Sequence, residues 1–327
     1  MSRLTFYDFT QAQRQRSLPL QNARHWRNVM NPIAHKSYEV RLTSPLPIAF
    51  ILLWSSGYIG GAFGVRYGEP FTMTFYRFAL AALVFLGGAL AVKAEWPRRL
   101  APYLHAAVVG VLLQALQFGG LYTGISQGVP AGQAALIVGL MPVFVVIGAY
   151  FFLGEQLSWR DLPGSILGVA GVAIVVASSF FGPEASIGGY GAVGLALVGI
   201  TLGTLYQKRF LGGVNLWVGC FIQMLTASLV MLMLAYTTET MRVAEWVPFA
   251  ASVAWITLMN SVGALTLLYV MIRRGEASKA TNLFHVIPAV TQIMASLVLG
   301  EVPSGVVILG FVVSGVGVYL MNHSRVK

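Results

Sequence analysis

His285, Arg77 and a scatter of amides and aromatic rings are the groups here best able to hold a solute or move a proton, and they lie within apolar stretches. His285 sits three residues before Pro288. Asn282, His285 and Gln292 recur at spacings of three and seven, which places them on one helical face. A polar face inside an apolar segment should look inward. Histidine titrates near neutral pH, so His285 either binds a proton coupled to solute movement, hydrogen-bonds the solute, or stays neutral against a neighbouring helix. Arg77 lies about two helical turns inside the second apolar stretch. It either snorkels to headgroups or pairs with a backbone carbonyl or helix C-terminus. A solute with a carboxylate would favour direct contact instead, because guanidinium suits bidentate carboxylate binding.

The remaining candidates are neutral. Trp54 and Tyr58 are four apart, Gln114 and Gln117 three apart, and Gln133, Tyr206 and Asn260 each stand in a different apolar stretch. Singly, each reads as an interhelical hydrogen bond. Together they would form one chamber with aromatic and amide walls, suited to an amphipathic or zwitterionic organic solute. Such walls argue against a metal or phosphate site, and no cofactor is expected.

Backbone irregularity marks the same region. Pro142 and Pro288 fall near the middle of their stretches, where the carbonyls of Val138 and Phe284 should lose their helical donors. Two kinked helices would then meet at the centre and line a cavity, or serve packing alone. Gly57, Gly60 and Gly61, with Gly64, make the first stretch bendable, and part of a gate is expected there. Glycine pairs at 120/124, 164/168 and 199/203 read as close-packing seams.

The elements that must position these groups follow from composition. Hydrophobic residues make up 57% of the 327 and charged ones 10%, against about 25% charged in a soluble domain. The fitting solvent is lipid. Ten apolar runs of about 20 residues are long enough to cross a bilayer as helices: 46–65, 71–92, 102–125, 131–153, 161–180, 190–208, 215–235, 249–272, 278–299 and 304–321. The reading is an all-α membrane protein with ten transmembrane helices; the half-length alternating strands of a barrel are absent from the pattern. Of the 21 lysines and arginines, eighteen fall on the side of the N-terminus and two opposite, with Arg77 inside a span. That bias places both termini in the cytoplasm. The net charge of +10 is thus explained by orientation rather than by a nucleic-acid partner. The lone Cys220 leaves the redox compartment undetermined.

Residues 46–180 and 190–321 repeat each other at an offset of 146. Gly57 answers Gly203, Arg77 answers Gln223, Pro142 answers Pro288, and Gly154-Glu155 answers Gly300-Glu301. The register slips by one around the third segment. Five spans per repeat is odd, so the second repeat should enter the membrane from the opposite side, which makes the repeats inverted. Residues 1–45 are polar and basic: a cytoplasmic tail, either touching anionic lipid or of no mechanistic weight, with Met30 an alternative start.

At this point the chain resembles EamA-type transporters of the drug/metabolite transporter superfamily. The resemblance rests on Trp54-Ser-Ser-Gly57-Tyr58, Phe75-Tyr-Arg77-Phe78, Leu140-Met-Pro142 with Leu153-Gly-Glu155, and Ile287-Pro288 with Leu299-Gly-Glu301. It implies a bacterial inner-membrane protein that exports small metabolites such as amino acids, amines or drugs, and it leaves the oligomeric state open. Gln223 departs from the pattern, where the first repeat has arginine. Rival readings are a membrane-embedded enzyme, which would need a catalytic cluster that the spans lack, and a channel or sensor, which would not need an inverted duplication.

Overall fold

The computed structural model describes residues 45–154, 162–179, 186–211, 213–273 and 283–324. The expectations for the N-terminal tail and for Asn282 and Glu155 lie outside these residues.

The described residues form helices in every apolar stretch. In chain order they are α1 (Pro45–Gly64), α2 (Pro70–Ala91), α3 (Leu100–Ser126), α4 in two pieces (Ala131–Val138 and Met141–Leu153), α5 (Leu162–Ser179), α6 (Ile187–Phe210) and α7 (Leu216–Thr238). After them come α8 in three pieces (Trp246–Trp255, Ile256–Ala264 and Leu265–Arg273), α9 (Ile287–Leu299) and α10 (Gly305–Ser324). Seven, namely α1 to α4 and α6 to α8, are long and apolar enough to cross a membrane, while the apolar stretches of α5, α9 and α10 are shorter. At 1.5 Å per residue the 13 residues of α9 span about 20 Å, short of a hydrocarbon core of about 30 Å. Large apolar side chains face outward, among them Phe151 at 73% and Leu297 at 80% exposure. Water would penalise such a surface and lipid does not.

Both expected proline breaks are present. A turn at Gly139–Leu140 divides α4, and Pro142 opens its second piece. A turn over 284–286 precedes α9, with Pro288 in its first turn. Proline fits there because its missing N–H would have no helical acceptor anyway. Both pieces end on a left-handed glycine, Gly154 at φ 67° and Gly300 at φ 73°, a conformation that side chains with a Cβ rarely adopt. α1, by contrast, runs unbroken through Gly57, Gly60 and Gly61.

Packing treats the two halves as interchangeable. α1 lies on α8 as α6 lies on α3, α1 lies on α9 as α6 lies on α4, and α2–α7, α4–α9 and α5–α10 pair across the halves. Glycines make the close crossings. A Cβ on Gly317 would collide with the backbone of Gly168 and Gly164, and one on Gly120 or Gly199 with backbone across the α3–α6 seam.

Candidate functional site

α3 and α8 each change pitch at the same place in their repeat. Gly110–Leu116 and Ile256–Ala264 are π-helical, and their first residues stand 146 apart. A π turn widens the helix by a residue, and such turns recur at functional sites. Here they carry Gln114 in one half, and Asn260 and Ser261 in the other, to the wall of one central cavity of about 410 Å³. An adjoining space of about 260 Å³ shares Leu113, Gln114, Gln207, Leu265 and Leu268 with it.

Arg77 stands at the head of this cavity. It is 1% exposed and turned inward, so it does not snorkel, and its partners are side-chain oxygens rather than a backbone carbonyl or a helix end. Its Nε donates to Ser261 Oγ at 3.1 Å, Nη1 to Tyr122 OH at 2.8 Å and Nη2 to Asn260 Oδ1 at 2.8 Å. The guanidinium carbon lies 3.9 Å from the centre of the Phe118 ring, within cation–π range. The partners are themselves fixed. Tyr122 OH donates to Gly57 O at 3.2 Å, and Asn260 Nδ2 donates to Trp54 O at 3.2 Å. Gly57 is required at this crossing, since a Cβ there would overlap the Asn260 amide. Likewise Gly60 abuts Ile256 and Trp255, and Gly61 abuts the Tyr122 ring.

Of the other sequence candidates, Trp54, Gln114, Gln117 and Asn260 line the cavity. Gln114 and Gln117 are 8% and 4% exposed, and their amides make no hydrogen bond to another described residue. Trp54 packs edge-on against Phe284 at 5.0 Å. Tyr58, Pro142 and Pro288 meet instead in a narrow space of about 20 Å³ beside it, to which Trp54, Met141, Ile200 and Phe284 also contribute. The helix breaks do meet, because Pro288 packs onto Gly139 closely enough to exclude a Cβ.

Three candidates lie elsewhere. His285 lines a separate space of about 60 Å³ with Leu136, Pro288, Phe311 and Ser314, between α4, α9 and α10. Gln292, on the same predicted face, packs on Gly132. The expected helical face is interrupted, because His285 stands in the turn before α9 while Gln292 lies within the helix; these two look toward α4 and α10 rather than into the central cavity. Gln133 accepts a hydrogen bond from Tyr190 OH at 2.6 Å, and Tyr206 shares one with His105 Nδ1 at 2.9 Å. Both tyrosines thus act as helix-to-helix ties. Sequence reasoning missed Phe118, Met141, Thr204, Ser261, Leu265 and Phe284 on the cavity wall. Their only sequence signal was position near the glutamines and prolines already singled out.

The two ends of the cavity differ. Toward one end it reaches the exposed Gln207, Lys208 and Asn215. At the other end the loops are cross-tied. Glu239 accepts from Phe71 N and Thr72 N, each at 2.7 Å, at the start of α2. Glu301 accepts from Ala131 N at 2.7 Å and Gly132 N at 3.2 Å, at the start of α4. Carboxylates at helix N-termini satisfy donors that have no helical acceptor. Glu69 accepts from Thr240 N at 3.2 Å, and Ala244 N donates to Tyr67 O at 2.7 Å.

Comparison with known proteins agrees with this architecture. Residues 45–177 and 188–323 each match the model of the EamA-like transporter family. The chain is 27% identical to an "Uncharacterized inner membrane transporter YedA" of Escherichia coli K12, over 83% of this chain and 90% of that one. It is 25% identical to a "Probable terminal-alkyne amino-acid exporter" of Streptantibioticus cattleyicolor, over 60% of this chain and 65% of that one. A protein of known crystal structure superposes with a TM-score of 0.62 at 18% identity, covering 86% of this chain and 98% of that one, which is a likeness of fold alone.

Proposed function

The chain belongs to the EamA-like transporter family, and on that premise we propose that it is a secondary carrier that exports a small organic metabolite by alternating access. In this reading α1 to α10 make ten crossings of a bacterial inner membrane, as two five-helix repeats inserted in opposite senses, with both termini in the cytoplasm. The observation that carries it is the central cavity between the two halves, tied shut at one end and reaching exposed residues at the other. A single cavity accessible from one face is what a carrier needs in each of its states. The positive-inside bias assigns the accessible end, with Lys208 and Arg209, to the cytoplasm. The conformation would then be inward-facing, ready to load a solute for export.

Support also comes from the relatives. One carries an inner-membrane name, and another is named for an amino-acid cargo. Amide and aromatic walls suit a solute with a polar head and an apolar body. The repeat also accounts for the main contacts between the halves, since exchange of the halves maps α1–α8 onto α6–α3 and α1–α9 onto α6–α4.

Counterflow in proteoliposomes tests the reading. Vesicles preloaded with a panel of amino acids, amines and drug-like compounds should accumulate the labelled form of at least one of them transiently and saturably. Flux that stays linear with concentration would mean a channel. Chemical conversion of the solute would mean an enzyme.

A further inference from the structure

We propose that the central cavity is a carboxylate receptor, in which the guanidinium of Arg77 takes the anionic end of the solute. The inference rests on the carrier reading and narrows its substrate to organic carboxylates, zwitterions included, with an apolar body small enough for about 410 Å³.

Arg77 has five N–H donors, and three are engaged. All three acceptors are neutral oxygens. No Asp or Glu occurs among the described residues lining the cavity or its adjoining space. A full positive charge is therefore held inside a span, 1% exposed, with no described counter-charge. Intramembrane charge is costly and is ordinarily paired with an opposite charge or with backbone carbonyls. Here the protein holds the cation in place without cancelling it.

The hydrogen-bond directions point the same way. Tyr122 OH directs its proton to Gly57 O, so it meets Arg77 with a lone pair. Asn260 directs its NH₂ to Trp54 O, so it presents its carbonyl oxygen to Arg77. Tyr122 and Asn260 thus serve the guanidinium as acceptors with their own protons engaged elsewhere. What the centre can offer a solute is N–H, together with positive charge.

The remaining wall fits the rest of such a molecule. Gln114 and Gln117 bring amides with no hydrogen-bond partner among the described residues, which match a second carboxylate oxygen or an ammonium group. Trp54, Phe118 and Phe284 supply apolar faces. An organic cation would meet repulsion from Arg77 and find no acid among the described lining residues.

Four probes sharing one ring decide the matter: phenylacetate, L-phenylalanine, phenylacetamide and phenethylamine. Binding to the full-length protein in nanodiscs is read by thermal shift and tryptophan quenching. The two carboxylates should bind at least about tenfold more tightly than the amide and the amine, as loss of charge-assisted hydrogen bonds implies. Arg77→Gln should erase that preference and Arg77→Lys should keep part of it. Glutamine is what the second repeat carries at the matching position, Gln223. If Arg77→Gln does not purify as a single species, the wild-type series decides alone. Equal binding of acid and amide, or no response to either carboxylate, overturns the proposal. Counterflow with the same probes separates the two readings. Movement of the amine alone leaves a carrier standing and the receptor refuted. Carboxylate binding without counterflow of any compound, these probes or the wider panel, leaves the anion site standing and refutes the carrier.

Discussion

At the middle of their second spans the two repeats part company: the first carries Arg77, the second Gln223. Both side chains are buried, at 1% and 5% exposure, in helices that pack on each other. Arg77 reaches across to α8 of the opposite repeat and lines the larger space. Gln223 lies against Gly110, where α3 begins its π turn, and lines the adjoining one. A near-symmetric scaffold therefore holds an asymmetric centre. Helix packing between the halves largely obeys the repeat because backbone fit is needed on both sides, while the polar centre does not.

The contrast can be broken most severely at the entry to the π turns. The first repeat has Gly110 and the second Ile256 at the matching position. A Cβ at Gly110 would overlap the backbone of Gln223, which cannot turn aside as a side chain would. Gly110→Ile should cost at least about 3 kcal/mol, the upper end of ordinary overpacking, and appear as a large drop in melting temperature in detergent. A variant that melts like wild type would remove the α3–α7 contact from the account.

Asn260→Ala cuts the tie from the second repeat to Arg77. It leaves one buried guanidinium N–H without its acceptor, at about 1–3 kcal/mol. Transport should fall by about tenfold or more, with a lower melting temperature, while Asn260→Asp should retain expression and alter solute preference. Unchanged flux in the alanine variant would separate Arg77 from the site.

Glu301 of the second repeat holds the start of α4 in the first. Glu301→Gln gives up a charge–helix interaction worth about 0.3–1 kcal/mol, which shifts a two-state equilibrium by roughly two- to fivefold. In a Cys220→Ser background, Ala135→Cys is 1% exposed in the native residue and one turn below that contact. Its labelling by an impermeant maleimide from the Glu301 side should rise by that factor. No rise would mean that the contact does not hold this end closed.

The smallest effect is expected at His285, whose counterpart in the first repeat is Gly139. It stands outside the central cavity. His285→Gln should leave transport within about twofold, roughly 0.5 kcal/mol, with its pH profile intact. Loss of pH dependence would return His285 to the coupling role that its sequence position first suggested.

Much of the fold was legible because its causes are local. Apolar runs marked the helices, prolines marked the breaks before Met141 and Ile287, and glycines marked the seams between α5 and α10 and between α3 and α6. Trp54, Gln114, Gln117 and Asn260 were also found, since a buried amide or indole in an apolar span has few other uses. Tyr206 and Gln133 were placed in the chamber for the same reason, yet each met a nearer partner, His105 and Tyr190. Which polar group finds which depends on neighbours far away in the chain.

Composition, periodicity and the 146-residue echo thus determined by themselves that this chain lives in lipid as two copies of a helical unit, because burial of apolar surface and backbone satisfaction are demands each segment meets alone. Only the tertiary structure decided which way the polar residues point. A π turn in α3 and another in α8 rotate everything beyond them, so a face counted at 3.6 residues per turn no longer predicts its neighbour. That rotation brought Asn260 and Ser261 to Arg77, and the packing of α9 on α4 turned His285 away.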